Sequence, residues 1–225
     1  VYGLGANALD EEAAMKTYAA KGRPSDNPLI VHIADMKDLP KIVTEIPEAA
    51  KKVAEKYWPG PLTMIFQKSD LVPHGTTGGL DTVAVRMPDH PIARDLILAG
   101  GGYISAPSAN TSGRPSPTTA QHVEEDLTGK IDMIVDGGPV DIGVESSILD
   151  VTVDPPMILR PGAITKEMFE GVVGTVAVDH TLIKPDSKEV PKAPGMKYRH
   201  YAPKAKLTIV EGNIREEVLA IRQLV

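Results

Sequence analysis

The loop KGRPSDNP at residues 21–28 places two cations, Lys21 and Arg23, two positions apart in a turn that contains glycine and proline. Two positive charges in a stiff loop, where glycine allows close approach of the backbone, suit a polyphosphate or a carboxylate. An ordinary solvated turn has the same composition, so both interpretations stay open. His32 follows within the apolar run LIVHI and is either a ligand-binding residue or a hydrogen-bonded core residue.

A second loop, SAPSANTSGRPSPTT at residues 105–119, is rich in small and hydroxyl-bearing residues. Small side chains let a ligand lie on the backbone, and uncharged donors suit a phosphate or a nucleotide. A low-complexity surface loop is the alternative. The candidate donors are Ser105, Ser108, Asn110, Ser112 and Ser116.

Two arginines lie within apolar strand patterns, Arg86 in TVAVRMP and Arg160 at the end of MILRPG. An unpaired buried charge is costly, so each arginine predicts either a bound anion or a paired acidic side chain. Ser146, in the segment ESSILD, could donate a hydrogen bond into a site at the same edge of the sheet.

Other sequence patterns give weak or negative signals. GLGANA at residues 3–8 fits the dinucleotide-binding pattern, but the strand that should precede it cannot be checked, and Asp26 lies in a proline-rich loop. The six histidines lack ligand spacing, so no metal held by the protein is expected. The P-loop, H-E-x-x-H and G-x-S-x-G patterns are absent from the sequence.

Helix and strand signals alternate along residues 1–183, which predicts an α/β or α+β domain. Strands are predicted at 29–33, 62–67, 82–87, 103–106, 131–135, 146–151 and 157–160. Helices are predicted at 8–19, 47–58, after Asp89, after Thr118 and after Thr165. Further on, KLTIVEG and IREEVLAIRQL predict a strand and a helix that begin a second α/β unit.

Composition limits the class of protein. The 225 residues are 42% hydrophobic, enough for a sizeable core, and contain no cysteine, which excludes disulfide scaffolds and thiolate sites and fits a reducing cytoplasm. With no apolar run of about 18 residues and no leader, neither membrane spanning nor export is expected. The net charge of −6 argues against non-specific coating of nucleic acid.

Residues 184–206 hold seven basic and two acidic residues and predict an extended linker, which could also be a basic solvated tether.

The order of these segments resembles that of the YrdC-like family, the threonylcarbamoyl-AMP synthases. The segments are VYGLGANA, KGRPSDNPLIVHI, WPGPLT, TVAVRMP, SAPSANTSG with SPT, ESSILD and ILRPG, and PGMKYRHYAP resembles the linker of the longer members. The resemblance implies an α/β fold, a twisted open sheet with helices and a concave basic cleft. It divides the chain into a catalytic domain (1–183), a linker or lid (184–204) and the start of a C-terminal domain (205–225).

The resemblance also implies an activity. Family members join L-threonine, bicarbonate and ATP into threonylcarbamoyladenylate and release pyrophosphate, with magnesium carried by the ATP phosphates. A partner threonylcarbamoyl-transferase complex then modifies an adenosine beside the tRNA anticodon, so RNA is a further candidate partner of this chain.

By the same resemblance, the site residues take three roles. The catalytic pair that meets phosphates would be Lys21 and Arg23, and threonine would lie among His32, Arg86, the main chain of Ala106 and Ser146. ATP would contact Arg23, Asn27, Thr82, Ser108, Asn110, Ser116 and Arg160, with Tyr198 or His200 of the linker closing over it.

Two departures and two alternatives accompany the resemblance. The family's Pro-Thr-Glu/Asp-Thr segment does not precede Val1 and the second domain is short, so we expect a chain trimmed at both ends.

A carbamoyl-transfer domain of related fold is one alternative, against which the absence of cysteine and the linker argue. A double-stranded RNA binder in ribosome maturation is the other, and the net negative charge and scarcity of aromatic residues argue against it.

Overall fold

The structure is a computed structural model that describes residues 1–180 and 208–224. Its strands are β1 (Ala6–Asn7), β2 (Ile30–His32), β3 (Leu62–Gln67), β4 (Thr82–Arg86), β5 (Ile104–Ser105), β6 (Ser147–Asp150), β7 (Met157–Arg160) and β8 (Ala177–Val178). Its α-helices are α1 (Glu11–Lys21), α2 (Leu39–Ile42), α3 (Glu48–Tyr57), α4 (His74–Thr77), α5 (Pro91–Ala99), α6 (Ala120–Leu127), α7 (Lys166–Val173) and α8 (Ile214–Leu224). The predicted α/β class is confirmed.

The eight strands form one mixed sheet in the order β1-β5-β2-β4-β3-β6-β7-β8. Three pairs are parallel, β2 with β4, β3 with β6 and β7 with β8, and the other four pairs are antiparallel. Strands that are distant in sequence therefore lie side by side in the centre of the sheet.

The two faces of the central sheet pack differently. Because side chains alternate along a strand, Val31, Met64 and Val85 point to one face, where they join the large core with α3 and α7. The opposite face holds a smaller apolar cluster made by Ile30, Ile65, Ala84, Ile148 and Leu159. His32, Thr63 and Arg86, each two positions from a member of this cluster on β2, β3 or β4, continue that second face.

Local sequence signals explain the start and end of α1. The Asp10 side chain accepts hydrogen bonds from the backbone N–H groups of Glu12 and Ala13, and acidic residues occupy the first turn. Gly22 ends the helix with φ of 60°, a left-handed conformation that glycine adopts without steric cost. The last helical residue, Lys21, therefore leads directly into the loop 21–28.

Three sequence predictions of local structure are wrong. Residues 131–135 form no strand, because Ile131 and Ile134 pack against the apolar cluster of α6 instead of entering the sheet. Asp89 does not cap α5, which starts at Pro91 because the fixed φ of proline suits the first helical turn. The described part of KLTIVEG, residues 208–212, forms no strand, whereas the helix predicted after it is confirmed as α8.

No helix in the described ranges combines the length and apolar composition that crossing a bilayer requires.

Candidate functional site

A row of polar side chains crosses the centre of the sheet on the face of the smaller apolar cluster. His32 of β2 is the register partner of Arg86 of β4, and Arg86 is the partner of Thr63 of β3. Ser146, which directly precedes β6, contacts Thr63, and Arg160 at the end of β7 reaches Ser146. Adjacent strands lie about 4.8 Å apart, so the row brings together residues from five segments of the chain.

Arg86 is half-buried in the middle of this row. Its Nε donates a hydrogen bond to the carbonyl oxygen of Gly60 at 3.0 Å, in the WPGP turn before β3. Burial is the main cause that lowers the pKa of Arg86, nearby Arg160 lowers it further, and Asp89 opposes both. The two guanidinium groups raise the positive potential at this end of the sheet, which favours an anionic ligand.

Ser146 and Arg160 are held together by a compact set of contacts. Arg160 donates from Nε to the carbonyl oxygen of Ser146 at 3.0 Å and from Nη2 to Ser146 Oγ at 3.2 Å. Gly162 packs so closely that a Cβ atom there would lie 2.6 Å from the backbone nitrogen of Ser147 and 2.8 Å from the carbonyl oxygen of Glu145. The glycine of ILRPG is therefore required for the close approach of these two segments.

His32 is neutral at physiological pH. The pKa of the imidazole is lowered from 6.5 to about 3, mainly by burial and also by the positive charge of Arg86. Hydrogen bonds to the backbone of Ile30 and Ile104 act in the opposite direction. Nδ1 lies 3.1 Å from the Ile30 carbonyl oxygen, which accepts its proton. A neutral His32 adds hydrogen-bonding capacity beside Arg86 without adding to its charge.

The lowered pKa of His32 makes stability depend on pH. In the unfolded chain His32 binds a proton below its ordinary pKa of 6.5, whereas in the folded chain it stays neutral until about pH 3. The unfolded state therefore binds more protons in this window, and the free energy of unfolding falls as pH decreases from 6.5 towards 3. In urea unfolding between pH 7 and 4, we expect His32→Gln to lose less stability than the wild type. The exposed His122 provides the control variant His122→Gln. If plots of the free energy of unfolding against pH were parallel for the wild type and His32→Gln, they would contradict the expectation.

Lys21 lies at the end of α1 and is only 2% exposed. Its Nζ donates to the carbonyl oxygens of Ser108 and Asn110, and Asn110 Oδ1 lies 3.4 Å away. The pKa of Lys21 is lowered to about 7, mainly by burial and also by the positive charge of Arg23, while Asp126 acts in the opposite direction. Lys21 thus holds the loop 105–119 against α1, and the prediction that it meets a phosphate stays a prediction.

Arg23 and Asn27 complete the loop 21–28. Arg23 Nη2 donates to the carbonyl oxygens of Asn27 and Pro28 at 3.2 and 3.0 Å, which closes the loop on itself. The Oδ1 atom of Asn27 is buried and has no hydrogen-bond partner among the described residues. A buried acceptor without a partner is costly, so it is suited to receive a hydrogen bond from a ligand.

The loop 105–119 connects the region around Lys21 with the row across the sheet. The backbone nitrogen of Ala106 donates to the carbonyl oxygen of Ile30 at 2.8 Å, two residues before His32. Two residues further on, Ser108 Oγ donates to Asn110 Oδ1 at 2.6 Å. Ala106, Ser108 and Asn110 therefore lie in the loop that connects the region around Lys21 with the row of polar side chains across the sheet.

Ser116 and Thr82 lie at two other positions around the row. Ser116 donates to Glu145, the residue before Ser146. Both residues line a cavity of about 570 Å³ together with Pro115, Gly143, Val144, Pro161 and Gly162. Thr82 points to the same face as Arg86 but begins β4, so the two lie about 13 Å apart along the strand. Thr82 is at the end of the sheet where the loop 21–28 enters β2.

Two residues were not assigned from the sequence although they contact the candidate site. Thr63 lies in the apolar run LTMIFQ, and its only signal is a hydroxyl side chain next to the WPGP turn. Glu145 precedes Ser146, and nothing in the sequence indicates its contact with Ser116. In both cases the partner is more than 25 residues away in the chain.

Three other sequence-based predictions concern the linker residues, the dinucleotide-binding pattern and metal binding. Tyr198 and His200 lie outside the described residues. The dinucleotide pattern 3–8 lacks its context, because β1 lies inside the pattern and pairs antiparallel with β5 instead of preceding a tight turn and a helix. Within the described ranges, no three His, Asp or Glu side chains lie together as a metal site.

Comparison with known proteins identifies the family. The model of the Sua5, YciO and YrdC proteins, described as "Telomere recombination", matches residues 1–162. The chain belongs to the Sua5/YciO/YrdC family. A second model, described as "Threonylcarbamoyl-AMP synthase, C-terminal domain", matches residues 164–223, as expected for the long, two-domain members. The resemblance stated from the sequence is confirmed.

Individual members of the Sua5/YciO/YrdC family are similar over most of the chain. Threonylcarbamoyl-AMP synthases of Pyrococcus abyssi and Bacillus subtilis are each 56% identical, over 94% and 95% of this chain. The chain spans 62% and 61% of the lengths of these relatives. The crystal structure of P. abyssi Sua5 complexed with L-threonine superposes with a TM-score of 0.96 at 53% identity, covering 100% of this chain and 66% of that one.

Proposed function

We propose that this chain carries the catalytic site of a threonylcarbamoyl-AMP synthase, which joins L-threonine, bicarbonate and ATP into L-threonylcarbamoyladenylate and releases pyrophosphate. The observation that carries the proposal is the row of His32, Arg86, Thr63, Ser146 and Arg160, which places two guanidinium groups and several hydrogen-bonding groups on one face of the sheet. Family membership and the threonine complex of P. abyssi Sua5 support it.

The threonine site in this proposal lies around Arg86. A guanidinium group binds a carboxylate through charge-assisted hydrogen bonds, so Arg86 receives the carboxylate of threonine. His32, Ser146 and the main chain of Ala106 supply further hydrogen bonds. Discrimination of threonine against valine requires a polar partner for the threonine hydroxyl, because an apolar pocket separates such isosteres poorly.

The nucleotide site in this proposal lies between the loops 21–28 and 105–119 and the end of β7. Arg23 and Arg160 provide positive charge for the phosphates. Asn27 offers its buried Oδ1, which has no hydrogen-bond partner in the described part of the chain, to a donor on the nucleotide. The other proposed contacts are Thr82, Ser108, Asn110, Ser116 and, indirectly through its loop, Lys21.

The reaction needs charge stabilisation more than acid–base chemistry. The amino group of threonine forms a bond to the carbon of bicarbonate, water leaves, and a carbamate results. A carbamate oxygen then forms a bond to the α-phosphorus of ATP while the bond to the pyrophosphate leaving group breaks. The attack brings two anions together, and preorganised cations lower its barrier by stabilising the developing charge. Magnesium enters this proposal as part of the substrate, carried by the ATP phosphates.

The remaining parts of the proposal concern the rest of the protein. The division into a catalytic domain (1–183), a linker that closes over ATP (184–204) and the start of a C-terminal domain (205–225) stays a prediction. We also propose that the product passes to a threonylcarbamoyl-transferase complex that modifies tRNA, in the cytoplasm.

The test is a pyrophosphate-release assay on the full-length protein. Release should require ATP, L-threonine and bicarbonate together, and mass spectrometry should detect threonylcarbamoyladenylate. L-Valine in place of L-threonine is the matched control and should give little product. Turnover with carbamoyl phosphate but without threonine would instead indicate carbamoyl transfer, and RNA binding without any ATP turnover would indicate an RNA-binding module.

A further inference from the structure

We propose that Thr63 is a positioning residue for the amino-acid substrate: its hydroxyl donates to Ser146 Oγ and so directs the proton of Ser146 towards bound threonine. This inference rests on the proposed function, because it names a residue that acts through one of the proposed threonine ligands. Nothing in the WPGPLT segment by itself indicates such a role.

Thr63 occupies a position where a polar side chain is unexpected. It is 0% exposed and its neighbours along β3 are Leu62, Met64, Ile65 and Phe66. Valine has nearly the same shape, favours strands and carries no polar atom to bury. The hydroxyl of Thr63 is therefore a cost to the fold unless its hydrogen bond serves a purpose.

The Thr63 hydroxyl has one partner among the described residues. Its Oγ1 lies 2.7 Å from Ser146 Oγ, and Arg160 Nη2 lies 3.2 Å from the same serine oxygen. Thr63 is also the register partner of Arg86, so its hydroxyl lies one strand away from the side chain proposed to bind the carboxylate. Ser146, next to β6, lies one strand further.

Counting donors and acceptors gives the direction of this hydrogen bond once a ligand acceptor lies beside Ser146. A serine hydroxyl has one proton and two lone pairs, and a guanidinium group can only donate. Ser146 is also buried, at 3% exposed, so without a ligand one of the two hydroxyl protons lacks an acceptor whichever group donates. With a ligand acceptor beside Ser146, donation from Ser146 to Thr63 would still leave the proton of Thr63 without an acceptor, at a substantial cost. If Thr63 donates, Ser146 accepts from both Thr63 and Arg160. Its own proton then remains available for a ligand.

This arrangement makes Ser146 a fixed donor. A free hydroxyl group rotates to suit its surroundings, but two accepted hydrogen bonds leave the Ser146 proton only one direction. Because both partners of Ser146 Oγ, Thr63 and Arg160, are already in place, Ser146 loses less freedom when the ligand binds and contributes more affinity. Thr63 therefore contributes to threonine binding without touching threonine.

The test compares Thr63→Val with Thr63→Ser in the full-length protein, using calorimetric titration with L-threonine and steady-state pyrophosphate release. Thr63→Val removes the hydroxyl at constant volume, whereas Thr63→Ser keeps it. Loss of one neutral hydrogen bond corresponds to about a five- to tenfold weaker interaction. We expect Thr63→Val to raise the Kd and KM for threonine by about this factor, with the KM for ATP within about twofold of wild type. Thr63→Ser should stay close to wild type.

A double-mutant cycle separates positioning from packing. If Thr63 acts through Ser146, Thr63→Val should add no further loss of threonine affinity in the Ser146→Ala background. Unchanged threonine binding in Thr63→Val, equal weakening of ATP and threonine, or a full additional loss in the Ser146→Ala background would each overturn the inference. Should Thr63→Val not fold, Thr63→Ala removes the same hydroxyl and gives the same test. A wild-type protein that binds no threonine would overturn the proposed function as well.

Discussion

Replacing Arg86 with glutamine is expected to lower kcat/KM for threonine by about 100-fold, mainly through a higher KM. A charge-assisted hydrogen bond contributes about 1.5–3 kcal/mol, and about 2.7 kcal/mol corresponds to 100-fold in affinity. KM carries most of the effect because the carboxylate contact is present in the ground state as well as in the transition state. Calorimetric titration with L-threonine and initial rates of pyrophosphate release measure both quantities.

The fold should survive the Arg86→Gln substitution. It removes a buried charge that Arg160 disfavours, while Gly60 loses one hydrogen-bond donor. Arg94 provides the matched control, because it is also half-buried and its Nη2 also donates to a main-chain carbonyl group, that of Ala34, at 3.1 Å. Arg94→Gln should leave threonine binding unchanged. Equal losses in Arg94→Gln and Arg86→Gln would contradict the assignment of Arg86.

Replacing Lys21 with methionine is expected to reduce both stability and ATP-dependent turnover. The substitution keeps the unbranched apolar part of the side chain but leaves the carbonyl oxygens of Ser108 and Asn110 without the donor that binds them. An unsatisfied buried acceptor costs about 1–3 kcal/mol, so we expect a loss of about 2–6 kcal/mol for the pair. Because Ser108 and Asn110 belong to the proposed nucleotide site, the KM for ATP should rise at least about tenfold. Urea unfolding and initial rates at varied ATP concentration check the two parts.

Lys16 is the control for Lys21 on the same helix. Its Nζ lies 3.4 Å from Glu12, and both side chains are largely exposed. Exposed ion pairs of this kind contribute at most about 1 kcal/mol, so Lys16→Met should change stability and ATP kinetics little. A Lys21→Met protein with wild-type stability and wild-type KM for ATP would show that Lys21 does not hold the loop 105–119.

Local chemistry accounts for the elements that could be predicted. The strand at 62–67 and the helix after Thr165 follow from apolar runs and from a capping hydroxyl, and the structure contains both. Residues 131–135 show the limit of this reasoning, because an apolar run packs against whichever surface the rest of the fold presents to it. Here that surface is α6 and not the sheet.

Lys21 shows a second limit of sequence reasoning. A lysine in a glycine- and proline-containing turn indicates an exposed cation, and the order of residues contains no sign of burial. Only the packing of the loop 105–119 against the end of α1 encloses its ammonium group, and that packing joins segments 87 residues apart in the chain. The lowered pKa of Lys21 is a consequence of this enclosure.

The residue types at the site, their order and the charge they carry are properties of the sequence, since they depend only on which side chains follow one another. That order was sufficient for the family resemblance. The register of the sheet belongs to the tertiary structure, because pairing between distant strands depends on how all of them pack together. This register sets His32, Arg86 and Thr63 side by side. It also brings Thr63 into contact with Ser146, although the sequence shows Thr63 only as one residue of an apolar strand.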